Sequence, residues 1–327
     1  MGTTTYEIGT ANNSFIGAGN RGDLLDVVTI ISPVDTPLFT MFRKAKIHNV
    51  QTEWMTDTLD RAASNAVNEG SSAVFTANAA RVRLLNYAQI SREPVEVSDS
   101  QRATNPAGIK DEFRYQLGRA LKQWKRDVEF DIIAGNTASA ASTRCARGIH
   151  YTLLGFCSLT ATVTGANTGN NIQEADLNAR LQAVWVAGAL CDYVVCTATQ
   201  KNAISSTFAG SANSRRTLSA ADNRVVNVVD FYDSDFGRVK ILPHRWFTPS
   251  AAHSGVNLQR VTYMLQTDKW VLGFLRPPKS IPLAKIGSAE RAMVEGEWTL
   301  IGLHPSANSF ISGHASGASD AANFPAN

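Results

Sequence analysis

The chain has 327 residues, of which 44% are apolar and 18% charged, and its formal net charge is +3. The apolar content excludes an intrinsically disordered chain, and so small a charge argues against a dedicated nucleic-acid binder. No apolar run approaches the roughly 20 residues that span a bilayer, and the four cysteines, none in a C-x-x-C pair, exclude a disulfide scaffold and favour synthesis in a reducing compartment.

The first predicted unit is an N-terminal arm, residues 1–45. Its first 22 residues are rich in Thr, Asn and Gly and show little periodicity, which predicts an extended segment that is ordered only by contact with something else. A short helix is predicted over 38–42, because Asp35 or Thr36 can cap it and Pro37 suits its first turn.

Residues 46–98 predict a long β-hairpin. Alternation over 50–57 predicts one strand, and 82–97 alternate more loosely, with Pro94 restricting the second strand to a sheet edge or a bulge. The connection, Leu59–Arg81, carries few large apolar side chains. Because a two-stranded ribbon is marginal in water by itself, this hairpin needs a surface to lie on, either its own domain or another molecule.

Residues 105–135 predict one long helix, with Asn105 as the N-cap, Pro106 in the first turn and Gly135 at the C-terminal cap. Six apolar side chains at steps of three and four residues form a stripe for the core. They are Phe113, Leu117, Leu121, Trp124, Val128 and Ile132. The other faces mix six basic with five acidic residues, which favours a solvated helix face over a DNA-binding one.

The rest of the chain divides into three predicted parts. Residues 99–171 include a surface segment, 137–171, that is rich in Ala, Ser, Thr and Gly. Helices alternate with strands over 172–258, which predicts an α/β or α+β unit. Short strands over 259–310, interrupted by prolines, are expected to return to the long helix, and residues 311–327 predict a mobile tail.

The sequence offers little for catalysis. Gly17–Gly22 matches G-x-G-x-x-G, but the segment before it is polar and predicts no buried strand, so a dinucleotide site is disfavoured. The six histidines show no metal-ligand spacing, and Asp233 with Asp235 is better explained as turn capping than as an acid–base pair. We therefore predict no enzyme activity, no cofactor and no metal, and favour a self-assembling structural protein.

Four segments then suggest a family. They are Ile31–Phe39, Glu93–Ser98, Lys125–Glu129 and Phe236–Arg245. In sequence and in order they resemble segments of tailed-phage major capsid proteins of the Hong Kong 97-like fold. The succession of arm, hairpin, long helix, central α/β unit and returning strands resembles that fold as well.

The resemblance implies an α+β Hong Kong 97-like fold, with 46–98 as an extended loop that lies on a neighbouring subunit. It also implies a spine helix, 105–135, in a peripheral domain built from 99–171 and 259–310, and an axial domain over 172–258. Residues of the extended loop that we expect to contact a neighbour are Trp54, Met55, Leu59, Arg61, Glu69, Val74, Phe75, Arg81 and Arg83.

The function implied is that of a phage major capsid protein, which assembles in the host cytoplasm into hexamers and pentamers of an icosahedral head. Implied partners are other copies of the chain, separate scaffolding and portal proteins, a cement or decoration protein, and packaged double-stranded DNA. Some family members cross-link Lys to Asn, but residues 47–97 contain no lysine, so non-covalent contacts are expected here. Two alternatives remain open, an encapsulin-like bacterial compartment and a nucleotide-binding enzyme that uses 17–22.

Overall fold

The computed structural model describes residues 35–313 except 60–61, 74, 76–79, 105–108, 136, 142, 158–159, 163–171, 211–217, 220–223, 226–229 and 248–257. Most of the predicted N-terminal arm and the C-terminal tail, including the glycine motif at 17–22, lie outside the described residues. None of the described helices is long and apolar enough to cross a membrane.

Six helices and fourteen strands are numbered here in chain order. The helices are α1 (Pro37–Met41), α2 (Asp99–Ala103), α3 (Glu112–Ala134), α4 (Ile149–Phe156), α5 (Glu174–Val186) and α6 (Ala198–Gly210). The strands are β1 (Arg43–Lys46), β2 (Gln51–Thr56), β3 (Val82–Tyr87), β4 (Gln89–Ser98), β5 (Thr160–Thr162), β6 (Tyr193–Cys196), β7 (Leu218–Ser219), β8 (Arg224–Val225), β9 (Phe231–Ser234), β10 (Gly237–Pro243), β11 (Val261–Leu265), β12 (Trp270–Leu283), β13 (Ala289–Gly302) and β14 (Ser309–Ser312).

A four-stranded sheet in the order β1-β12-β13-β4 packs against α3. The predicted hairpin is therefore shorter than 46–98, because only β2 and β3 pair with each other and β4 pairs with β13 instead. The reason is that Val95 and Val97 of β4 are buried in the core beneath α3. The edge position expected from Pro94 is confirmed, since β4 is an outer strand of this sheet.

The long helix α3 begins later than predicted. Asp111 is its N-cap and accepts a hydrogen bond from the backbone N–H of Arg114, while Asn105 lies outside the described residues. The apolar stripe also needs one correction, because Leu121 is 40% exposed whereas Ala120 is buried. A small residue fits there since the sheet lies close to the helix, and the predicted end at Gly135 is confirmed.

Strand β12 runs without interruption through Pro277, Pro278 and Pro282, contrary to the expected short pieces. Its pairing with β1 covers only Val271 to Phe274, so the prolines lie where that side of β12 has no described partner strand. Proline in strands is confined to edges and bulges, and the register of β12 with β13 is irregular at Pro277 and Pro278, where two residues lie opposite Gly296.

A second sheet has six strands in the order β5-β14-β11-β6-β10-β9. Both of its faces are covered. Val195, Val261, Tyr263 and Phe310 lie in the same core as α3, whereas Val194, Met264 and Ile311 lie in a second core with α5. Strand β11, which we expected beside the long helix, pairs within this sheet, and its Val261 and Tyr263 do lie in the core of α3. Strand β14 was not predicted, and it extends to Ser312, past the start of the tail predicted at 311.

Helix α4 lies within the segment 137–171 that we predicted as surface. Ile149 and Leu153, one helical turn apart, are fully buried in the core. His150 is also buried, and its Nδ1 lies 3.0 Å from the Tyr263 hydroxyl. The sequence did not predict this short buried helix, because the Ala, Ser, Thr and Gly residues around it are typical of a surface segment.

A glycine allows α3 to lie against β13. A Cβ at Gly296 would come within 2.6 Å of Trp124 Cζ2 and 3.2 Å of Pro278 Cα. The Trp124 indole N–H donates to the carbonyl of Ser91, 3.0 Å away, so the ring is held in place and cannot yield.

We predict that Gly296→Ala lowers the free energy of unfolding by about 1–3 kcal/mol, because the added methyl overpacks this contact. Gly118→Ala is the matched control, since a Cβ at Gly118 would meet nothing within 4 Å. In the middle of a helix that change should instead stabilise by about 0.5–1 kcal/mol. Chemical denaturation measures both, and equal effects of the two substitutions would contradict the packing argument.

Candidate functional site

The hairpin β2–β3 is fixed to its own subunit at its base. Asn86 is buried, and its side-chain amide donates to the carbonyls of Leu300, at 2.7 Å, and Arg147, at 3.1 Å. Its Oδ1 accepts from the backbone N–H of Arg147 at 2.8 Å. Trp54 packs on a small core that includes Ile47 and Val271. These contacts anchor the base of the hairpin, and the half-buried Trp54 also contributes to its own subunit. Its contact with a neighbouring subunit stays a prediction.

The end of the hairpin, residues 57–81, is here named the hairpin tip. Its described apolar residues face solvent, with Leu59 99% and Phe75 95% exposed. Met55, at the end of the stem, is 65% exposed. Because removing such side chains from water lowers the free energy, the tip and the stem next to it form a candidate assembly surface.

The charged residues predicted for this surface have different positions. Arg83 pairs with Glu53 across the stem, and Arg81 pairs with Asp57, each at 3.1 Å. The Arg83–Glu53 pair lies within the paired stem, and the Arg81–Asp57 pair lies just beyond its last paired residues. Both arginines remain largely exposed. Glu69 is exposed near the turn. Arg61 and Val74 lie outside the described residues.

Behind the hairpin, a buried carboxylate joins three separate parts of the chain. Glu129 of α3 accepts hydrogen bonds from the backbone N–H groups of Leu38, at 2.8 Å, and Phe39, at 2.6 Å. His244 Nε2 lies 2.8 Å from the same carboxylate, and both side chains are fully buried. The backbone N–H of Trp246 donates to His244 Nδ1, which places the imidazole proton on Nε2, facing Glu129. We name these residues the Glu129 junction.

Aromatic and cationic contacts surround the Glu129 junction. The Trp246 indole N–H donates to the Asp35 carbonyl at 2.9 Å, and the Arg126 guanidinium lies 5.3 Å from the Trp246 ring centroid. Phe39 meets Trp124 edge-on, with 6.3 Å between ring centroids. Three segments that carry the family resemblance therefore converge here.

Sequence reasoning missed Glu129 as a structural centre. The available signal was an acidic residue directly after Val128 and directly before Phe130, in the more apolar end of the helix. His244 was predicted to end a strand rather than to act in catalysis, and it does lie directly after β10.

A second group of carboxylates lies between β4 and α3. Burial, together with a hydrogen bond to Asp127, raises the pKa of Glu93 from 4.5 to about 7, although the charge of Arg126 opposes the shift. Burial raises the pKa of Asp131 from 3.8 to about 6, even though Gln89 Nε2 donates to it at 2.6 Å. Proton binding by these groups therefore favours the packing of β4 on α3.

The other candidates for chemistry do not form a site. Asp233 makes a two-point contact with the Arg238 side chain at 2.6 and 3.0 Å beside the β9–β10 turn, instead of the predicted turn capping. The Ser234 hydroxyl accepts from a backbone N–H of this turn, that of Phe236. Within the described part of the chain, no group of three or more His, Cys, Asp or Glu is arranged to hold a metal ion.

Comparison with known proteins identifies a family. The sequence model of a family described as SU10 major capsid protein matches residues 3–315. A major capsid protein of Escherichia phage Phieco32 is 26% identical to this chain over 340 residues, a span that covers 90% of this chain and 94% of the relative.

Solved structures share the fold. One from Gordonia phage Cozz superposes with a TM-score of 0.59 at 14% identity, covering 96% of this chain and 99% of its own. The capsid of a native GTA particle gives a TM-score of 0.61 at 11% identity, with coverages of 93% and 100%. The holo-SrpI encapsulin of Synechococcus elongatus gives 0.54 at 11% identity, with coverages of 90% and 92%. The predicted α+β, Hong Kong 97-like fold is confirmed.

We predict that Glu129→Gln destabilises the subunit by about 1–3 kcal/mol. Three N–H donors converge on the two carboxylate oxygens, and an amide offers only one oxygen, so a buried donor is left unsatisfied. Glu112→Gln, on the half-buried first turn of the same helix, is the control, because its one side-chain hydrogen bond, from Gln116, can also be accepted by an amide oxygen. It should change stability by less than about 0.5 kcal/mol. Equal denaturation midpoints for the two variants would contradict this role of the junction.

We also predict that Glu93 makes stability depend on pH. Because the folded-state pKa of Glu93 lies near 7, above its usual 4.5, the stability it contributes is complete below about pH 4.5 and is lost as the pH rises through 7. Glu93→Gln should raise the melting temperature at pH 8 and leave it nearly unchanged at pH 4.

The part of the decline that is due to Asp131, between about pH 4 and 6, should persist in Glu93→Gln. Asp127→Asn should also reduce the decline in melting temperature above pH 6, because it removes the partner that raises the pKa of Glu93. Melting curves from pH 4 to 8 test both variants, and an unaltered decline above pH 6 in both would refute the assignment.

Proposed function

Because this chain belongs to the family of SU10 major capsid proteins, a family of structural phage proteins, we propose that it assembles into hexamers and pentamers of an icosahedral head around double-stranded DNA. The observation that carries the mode of assembly is the hairpin tip. A rigid base projects apolar side chains, among them Leu59 and Phe75, into solvent. Covering a Leu or Phe side chain is worth about 1.5–3 kcal/mol, and a neighbouring copy of the chain would supply that cover.

The two sheets support a division of the subunit into two domains. In this proposal the four-stranded sheet with α3 forms the peripheral domain, and the six-stranded sheet with α5 and α6 forms most of the axial domain around the symmetry axes. Strands β11 and β14 belong with the axial sheet. The Glu129 junction holds the two domains and the end of the arm together, so that a contact made by the arm is transmitted to both.

Further partners are proposed from the requirements of a closed shell. A subunit whose contacts are heterologous needs guidance to close correctly, so separate scaffolding and portal proteins are expected, with assembly in the host cytoplasm. Contacts through the extended loop would be non-covalent, since residues 47–97 offer no lysine for cross-linking, and a cement or decoration protein would reinforce them.

An encapsulin-like compartment is the second candidate, favoured by the likeness to the SrpI encapsulin over 90% of this chain. The two functions differ in their contents. Nuclease-protected DNA inside particles purified from infected cells supports a phage head, whereas particles that contain protein cargo and no DNA support the compartment.

We predict that Leu59→Asp combined with Phe75→Asp prevents particle formation, because a charge replaces each apolar contact, while the melting temperature stays within about 2 °C of wild type. Ser72→Asp, an exposed position of the same tip, is the control for added charge and should still assemble. Negative-stain microscopy and gel filtration distinguish shells from free subunits.

Deletion of residues 59–81 should likewise leave a folded subunit that forms no shells. Normal particles from either the deletion or the double variant would refute the role proposed for the hairpin tip.

A further inference from the structure

Basic and acidic side chains of α3 lie on different parts of its surface. Four basic side chains in its first fourteen residues are exposed, namely Arg114, Arg119, Lys122 and Lys125. We name these four residues the basic stripe. The sequence predicted a mixed face, because basic and acidic residues nearly balance along this segment, but the balance does not hold on the exposed surface.

The acidic residues of α3 are engaged elsewhere. Glu129 is buried in the junction, and Asp131 accepts from Gln89 of β4. Asp127 interacts with Glu93 and accepts from Gln123. At the start of the helix, Asp111 caps the N-terminus and Glu112 accepts from Gln116. Of the basic stripe, only Arg114 has an ion-pair partner among the described residues, the capping Asp111.

We propose that the basic stripe is a contact surface for the phosphate backbone of nucleic acid, and that this face of α3 is turned toward the packaged DNA. The inference rests on the function proposed above and adds to it the surface involved. Arg114 and Lys125 lie eleven positions apart, about 17 Å along the helix, which spans about five phosphates at the 3.4 Å spacing of one strand.

The composition of this surface favours a polyanion over a protein. Protein interfaces are depleted of lysine and enriched in aromatic residues at their centre, whereas Leu121 is the large apolar residue exposed on this face. The hairpin tip of another copy would be a poor occupant, because residues 57–81 hold three acidic and two basic residues and cannot neutralise the stripe.

A glycine at the centre of the stripe is a second, independent observation. Gly118 lies one helical turn from both Arg114 and Lys122, and a Cβ there would meet nothing within 4 Å. Glycine costs a helix interior about 0.5–1 kcal/mol relative to alanine, and no packing in the described structure requires it here. A bare backbone between cations lets a phosphate chain approach closely.

The test is the salt dependence of binding by the unassembled full-length chain to a short double-stranded DNA of arbitrary sequence, followed by fluorescence anisotropy. Each phosphate contact contributes about 0.9 to the slope of log K against log salt. Lys122→Gln combined with Lys125→Gln should therefore make the slope shallower by about 2, and the loss should be the same for unrelated DNA sequences.

The matched control is Arg43→Gln combined with Lys279→Gln. Both residues are exposed, and both lie on the sheet face opposite α3. Arg43 lies four positions before Ile47 and so shares its face, that of the small core. Lys279 is in register with Glu295, which points away from α3 because the adjacent Val294 lies in the core of α3. This control removes the same charge and should leave the slope unchanged. An equal change in both double variants, or no change in the stripe variant, would overturn the proposal.

Two further measurements separate the alternatives. If the stripe variant loses binding to a poly-glutamate peptide but keeps that to DNA, the surface serves an acidic protein segment and the proposal is wrong. Particle formation by each variant is scored by microscopy. Shells that form in infected cells, where the proposed scaffolding protein is present, but contain no copies of this chain would refute the proposed function itself, whereas normal shells with unaltered DNA binding by the stripe variant would refute the basic stripe alone.

Discussion

The buried carboxylate of Glu129 is the constraint on which the arrangement of the subunit depends. A carboxylate removed from water is tolerated only when hydrogen bonds replace its hydration, and no single segment could supply them. Here the donors come from the first turn of α1 and from His244 at the end of β10. Satisfying the one carboxylate of Glu129 therefore fixes α1, the long helix α3 and the six-stranded sheet relative to one another.

Close packing on the other face of α3 completes that arrangement. The carbonyl of Ser91 accepts the Trp124 indole N–H, and its hydroxyl accepts that of Trp298, so one serine of β4 orients two tryptophans. Gly296 leaves room for the first ring. Directional bonds and steric fit together give α3 a single position on its sheet, and the hairpin that leaves this sheet inherits a defined direction.

A subunit built in this way can expose apolar side chains and positive charge to solvent without losing its fold. The apolar hairpin tip and the basic stripe both lie outside the two cores, and neither is needed to hold them together. Exposed apolar area and unpaired positive charge would be liabilities in a free monomer. In the shell proposed above they would be the surfaces available to a neighbouring copy and to the packaged DNA.

The sequence alone established the order of elements, the long helix with its end at Gly135, the edge position of Pro94 and the family, because each depends on local periodicity, on turn chemistry or on ordered short motifs. Tertiary structure decided the rest. It assigned β4, β11 and β14 to their sheets and showed the buried helix α4 within a segment predicted as surface. Strand β12 continues through three prolines on a side that has no described partner strand. The charged side chains of α3 form one engaged set and one exposed set. These features depend on partners distant in the chain, such as Glu129 and His244, 115 positions apart. No local pattern encodes which distant group will satisfy a buried charge or cover one face of a helix.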